Sequence, residues 1–133
     1  MTETVQPVSV AEYNRFVKTI TWKGLGGADS GQMAQLPRFA DKCVHVFGTF
    51  GAGTVTLYGS NDPAAQTDYN NGTLFGSKTA SWIALTDTLG NNIALTSAGL
   101  KPILEDPLYI LPVVTGGTGS NLTVIICAKK EFA

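Results

Sequence analysis

The stretch "VHVFGTFGAGTVTLYGSND", Val44 to Asp62, decides the fold class. Val44, Val46 and Phe50 fall on one side of an extended chain, and Cys43, His45 and Phe47 on the other. Both sides are apolar, which predicts a strand at the centre of a sheet, covered on both faces. Gly51, Ala52 and Gly53 follow as a turn, because glycine reaches positive φ without steric cost. Val55 and Leu57 then alternate with Thr54 and Thr56, so the stretch reads as a hairpin. Asn61 and Asp62 stop it with turn-forming side chains, and Pro63 cannot extend a ladder. No reactive group sits at its tip.

The same grammar runs along the chain. Fifteen glycines and six prolines punctuate short β-branched and aromatic runs, at roughly the eight-to-twelve-residue spacing of an all-β sandwich or barrel. Phe16 to Lys23 is a strand with Phe16, Lys18, Ile20 and Trp22 on one face. "WIALTD" and "NIALTS" flank a turn at Thr88 to Asn91, and Asn71-Gly72 marks another tight turn. Pro102, Pro107 and Pro112 confine their runs to sheet edges or strand starts. The closing strand "NLTVIICAKK" carries Leu122, Val124 and Ile126 on one face and Ile125 and Cys127 on the other. The fold class expected is all-β, a jelly-roll-like two-sheet β-sandwich of roughly eight strands. The first residues are polar, hold Pro7 and show no core face. They are expected as an extended N-terminal arm, residues 1–15, ahead of a sandwich domain at 16–133. Val8 to Lys18 is also compatible with a short helix. Gly24 to Asp41, with four glycines and Pro37, is a long polar connection.

Length and composition narrow the function. With 133 residues the chain fits one domain and buries roughly two-thirds of its unfolded surface without a metal or disulfide. Charged residues are only 14%, against roughly 25% in ordinary soluble domains. Such a surface is either covered in part by another protein or polar through Thr, Ser and Asn. Lys and Arg are scattered and the net charge is −1, so no nucleic-acid partner is expected. No apolar run is long enough to span a bilayer and the N-terminus lacks a signal-peptide pattern, so no membrane partner is expected and synthesis is placed in the cytoplasm.

Chemistry-bearing residues are sparse. His45 is the single histidine and reads as a face residue of its strand. Cys43 lies two residues away, but nothing orients the imidazole toward it. Cys43 and Cys127 read as small buried hydrophobes rather than a disulfide. Glu105-Asp106 reads as a solvated turn. "DSGQ" and "SND" lack the spacing of a calcium loop, and "GLGG" and "TGGTGS" lack the Lys-Ser/Thr and helix of a phosphate loop. No catalytic residue, cofactor or metal is expected. Trp22, Trp82, Tyr58, Tyr69 and Tyr109 would make a carbohydrate-binding module, of a phage fibre or adhesin, if they formed an exposed platform.

"TW" at Thr21, "FADKCVHVFGTFGAGTVTLYGSND" from Phe39, "WIALTD" from Trp82 with "LGN" from Leu89, and "PLYILPVVTGGTGSNLTVIICAKK" from Pro107 together resemble the capsid cement (decoration) proteins of tailed bacteriophages. The similarity runs from Ile20 to Lys130. Residues 63–81 intervene where the family brings its Trp soon after the Ser-Asn-Asp turn. The resemblance implies a jelly-roll-like sandwich and a non-enzymatic virion protein on the outer capsid surface. Its implied partners are the major capsid protein and itself, as a homodimer or homotrimer. Arms and loops of such a protein would reach neighbouring subunits, with many weak contacts acting together. The contact residues expected on that reading are Val5, Val8, Val10 and Tyr13 of the arm, and Leu25, Met33, Leu36 and Arg38 of the long connection.

Overall fold

A computed structural model of the chain describes residues 4–6, 8–14, 16–27, 29–35, 41–62 and 82–130, with the backbone path alone for 4–6, 13 and 14. Two sheets face each other. One has the order β1 (Thr4–Gln6), β4 (Asp29–Gly31), β10 (Tyr109–Gly116), β6 (Gly53–Ser60), β7 (Ile83–Ala84), with β8 (Ala94–Leu95) also on β6. The other has the order β2 (Val8–Asn14), β3 (Val17–Leu25), β11 (Asn121–Lys129), β5 (Asp41–Thr49), β9 (Gly99–Ile103). All pairings are antiparallel except β1 on β4. Seven strands have five or more residues, close to the expected eight, and four short ones complete the sheets among the described residues. The chain is a jelly-roll-like β-sandwich, as its punctuation indicated.

The core is what alternation on both sheets dictates. Ile20 and Trp22 of β3, Val44 and Val46 of β5 and Leu122, Val124 and Ile126 of β11 meet Val55 and Leu57 of β6 and Ile110 and Val114 of β10 between the sheets. The indole Nε1 of Trp22 donates to the Gln32 carbonyl at 2.9 Å, so this buried ring is fully satisfied.

Three expectations are corrected. First, the decisive stretch is not a hairpin. β5 pairs with β11 and β9, whereas β6 pairs with β10, so the Gly51 turn carries the chain from one sheet to the other. Gly51 and Ala52 are both left-handed (φ 57° and 67°), and the Gly53 N–H closes the turn on the Phe50 carbonyl at 2.8 Å. The β10–β11 link makes the same crossing alongside it. The Thr118 N–H donates to the Gly51 carbonyl at 2.9 Å and the Ser120 hydroxyl to the Phe50 carbonyl at 2.6 Å. A Cβ on Gly51 would stand 2.2 Å from the Thr118 carbonyl oxygen, so the two corners pack backbone on backbone.

Second, residues 4–14 are not a free arm. β1 lies beside β4 and β2 beside β3, with Val8 opposite Trp22 and Val10 opposite Ile20. The valine alternation is a sheet pattern, and it overrides the helix reading.

Third, Pro112 lies inside an interior strand. Its partner Leu57 directs its own N–H and C=O to Ile93 and Leu85, away from β10, so the ladder on that side asks nothing of Pro112. On the other side β10 bridges Ala34 through Ile110 and meets β4 only at Val113, leaving a gap where the missing N–H falls. Pro102 is on the edge strand β9 and Pro107 precedes β10, as expected. The Asn71-Gly72 turn lies outside the described residues.

Candidate docking surface

The six-stranded sheet covers its own outer face. Trp82, Tyr109, Leu111 and Val113 form a second buried cluster there, with Met33, Tyr58 and Leu108 packed against it. β10 is consequently buried on both faces from Tyr109 to Val114, the position that the sequence suggested for β5.

Among the described residues nothing lies over the outer face of the five-stranded sheet. The register aligns two full rows across it: Ser9, Thr21, Ile125, His45, Leu100, and next to it Ala11, Thr19, Cys127, Cys43, Pro102. Thr123 and Phe47 form part of a third row. No residue in the two full rows carries a formal charge when His45 is neutral; the charges on this side lie at its rims, with Asp41 opposite Lys129 at one end and the exposed Lys23, two residues after Thr21, at the other. Leu100 is 64% exposed and Phe47 36%, while Thr19, Thr21, Ile125, Cys43 and Cys127 are half-buried by their neighbours. The His45 and Phe47 rings lie 4.8 Å apart. β5 therefore has the predicted apolar outer face but no cover from its own chain among the described residues. Alternation shows which residues share a face; it does not reveal what lies over them.

The expected contact residues scatter. Val8, Val10 and Met33 come together in a groove of about 380 Å³, lined also by Lys18, Ile20, Ala34 and Tyr109. Val10 is 55% exposed there, and Lys18 reaches Glu12 at 3.4 Å. Val5 lies in β1 and Tyr13 in β2. Leu25 is fully buried in the core, so no partner can touch it. The residue follows Gly24, whose φ of 70° puts an irregularity into the β3–β11 ladder and turns Leu25 inward opposite Leu122. Leu36 and Arg38 lie outside the described residues.

The reactive groups do not converge into a pocket. Cys43 and Cys127 are direct cross-strand partners, both free, and half-buried on the open face rather than buried in the core. Burial pushes the Cys43 thiol above its ordinary value, and Cys127 beside it adds to the rise, so Cys43 is a weak nucleophile. Neither the groove nor a second hollow of about 400 Å³, lined by Gly59, Ile83 and Glu105 among others, includes His45 or either cysteine. Glu105-Asp106 is reached by solvent, with Asp106 exposed, but both carboxylates are engaged. Glu105 accepts from the Thr86 hydroxyl and, at 2.8 Å, from the Thr86 N–H, and Asp106 pairs with the buried Lys42 ammonium at 2.6 Å. Among the described residues no group of three His, Cys, Asp or Glu side chains is placed to hold a metal ion. Trp22 and Trp82 are buried, as is Tyr109, so the aromatic platform of the carbohydrate reading is not formed by them; Tyr69 lies outside the described residues.

Fold comparison agrees with this architecture. No protein-family model matches the chain, and no curated protein matches it in sequence. Among solved structures, a cupin domain from Bordetella pertussis is similar over 98% of this chain and 99% of its own, with a TM-score of 0.51 and 12% identity. IMPa from Pseudomonas aeruginosa, solved with an O-glycopeptide, matches over 86% of this chain and 12% of its own (TM-score 0.44, 12% identity). The K1 adhesin domain of Lys-gingipain from Porphyromonas gingivalis matches over 96% and 85% (TM-score 0.39, 10% identity). The cupin likeness is one of fold.

Proposed function

We propose that this chain is a non-catalytic structural protein that binds the outside of a bacteriophage capsid and reinforces contacts between major capsid protein subunits. The observation that carries the reading is that nothing among the described residues lies over the outer face of the five-stranded sheet, whose two complete rows carry no formal charge with His45 neutral, whereas the other sheet buries Trp82, Tyr109, Leu111 and Val113 on its outer side. A sheet face presented on stiff strands suits adhesion, because little conformational entropy is lost when it docks. The resemblance of its turn and strand signatures to those of capsid cement proteins supports the shell as the partner. Repetition over a shell raises the effective affinity of each weak contact.

The test is co-sedimentation of the purified chain with shells of major capsid protein that lack it, followed by thermal disruption of the loaded shells. The chain should pellet with the shells at micromolar concentration and raise the temperature at which they burst. Shells that neither retain the chain nor gain stability would end this reading.

A further inference from the structure

We infer that Cys43 and Cys127 form a dithiol site, at which an oxidising small-molecule disulfide closes a cross-strand bond between β5 and β11. The site goes beyond shell binding and is independent of what the sheet docks against. The chain has two cysteines, and the register sets them directly opposite one another on adjacent interior strands, both free and half-buried. Both side chains project from the outer face, because Val44, Ile126 and Ala128 beside them in sequence point into the core. Among the described residues nothing lies over that face, so a small disulfide can reach them. Directly opposed residues of an antiparallel pair have Cα atoms about 5.5 Å apart where they exchange hydrogen bonds and about 4.5 Å apart where they do not. Disulfides span about 4.4–6.8 Å between Cα atoms, so either spacing admits the bond without rearranging the strands.

The chemistry is two successive exchanges. The Cys127 thiolate attacks one sulfur of the small disulfide, forming a mixed disulfide and releasing one small thiolate. The Cys43 thiolate then attacks the Cys127 sulfur and expels the second small thiolate. The protein thiols are oxidised, the small disulfide is reduced to two thiols, and the two protein protons end on them. Burial, and then the Cys127 thiol beside it, make Cys43 slow to deprotonate. Its attack is nonetheless favoured once the mixed disulfide is held opposite it, because the step is then intramolecular. Position gives the bond its effect. At one end of β5 and β11 the Gly51 and Thr118 corners already pack backbone on backbone. Cys43 and Cys127 lie toward the opposite end of the same two strands. A bond there also closes a long loop, which restricts the unfolded chain strongly.

Incubation of the reduced, purified chain with oxidised glutathione tests the site, read by peptide mapping and by thermal unfolding. A linked pair of peptides holding Cys43 and Cys127, formed within one chain, is expected. The melting temperature should rise by about 10 °C and fall back when dithiothreitol is added. Cys43→Ser and Cys127→Ser, checked for folding by circular dichroism, should each form no linked pair and show no such rise. The mapping of the parent chain needs neither variant. Thiols that stay free, glutathione that remains on either cysteine of the parent chain, a bond between chains, or a Cys43–Cys127 bond that leaves the melting temperature unchanged or lower would overturn the inference. Shell binding enters none of these outcomes, so the proposed function and this site stand or fall separately.

Discussion

The two sheets of this sandwich share one core but treat their outer faces in opposite ways. The six-stranded sheet lays Trp82 and the Tyr109–Leu111–Val113 face of β10 into a second buried cluster. The five-stranded sheet ends in Thr, Ile, Cys and Phe side chains with nothing of the described chain over them. The difference separates residues kept for stability from residues available for adhesion. It also explains how a chain with so few charges has its apolar surface divided: one side is consumed internally and the other is offered outward.

The sharpest way to break this comparison is to truncate one large side chain on each side of it. Trp82→Ala opens the covered face and should cost about 3–5 kcal/mol, read as a drop in the urea midpoint. Ile125→Ala on the open face should cost only about 1 kcal/mol in the isolated chain, because a half-buried side chain loses about half the transfer free energy of a buried one. Equal losses would show that the open face is covered after all.

A second, smaller effect sits where β4 joins the covered sheet. A Cβ on Gly31 would lie 2.6 Å from both Pro112 Cδ and Trp22 Cδ1, two rings that meet in the core at the gap in the ladder. Gly31→Ala should therefore destabilise the chain by about 1–3 kcal/mol through overpacking. Adding Pro112→Ala should recover part of that loss, since one of the two obstructing rings is then removed; thermal unfolding of the four variants of this cycle measures the recovery. An unchanged melting temperature for Gly31→Ala would show that β4 does not pack as described.

Much of the sandwich was legible in sequence, and the failures share one cause. Period-two alternation located β3, β5, β6 and β11 and put together the residues that share an inward face, Ile20 with Trp22, Val44 with Val46, Val55 with Leu57 and Leu122 with Val124 and Ile126. What alternation cannot encode is the identity of a strand's neighbour. A glycine turn serves a hairpin or a sheet-to-sheet corner equally well, so the Gly51 turn was misassigned, and β5 was given the cover that belongs to β10. The same blindness made an arm of β1 and β2, whose valines find partners in the chain's own sheets. Among the expected contact residues, only Val8, Val10 and Met33 meet in one groove. The open face was half visible, since Ile125 with Cys127 and Cys43 with His45 and Phe47 each share a side of their strand. Their union needed the β5–β11 register.

The link that ties the open sheet to the covered one yields the smallest effect and a definite sign. Between β9 and β10 the chain is held by the Leu104 N–H on the Thr86 carbonyl at 2.9 Å, by Asp106 on buried Lys42, and by Glu105 on Thr86. Burial pushes the Glu105 carboxyl up, but the Thr86 hydroxyl and N–H bonds, with Lys42 nearby, outweigh it and hold the group below its ordinary range. A depressed carboxylate contributes stability that is complete above its unfolded-state pKa and is lost as pH falls through the folded-state value. Glu105→Gln should therefore be less stable than the parent at neutral pH, and the gap between them should narrow as the solution is acidified. Thr86→Val, which removes the hydroxyl bond but keeps the N–H bond, should show a shallower acid dependence than the parent. Urea midpoints measured from neutral to acidic pH would show both effects. A gap that widened on acidification would mean that Glu105 is held in its protonated form, and that this link joins the two sheets through a neutral hydrogen bond rather than a charged one.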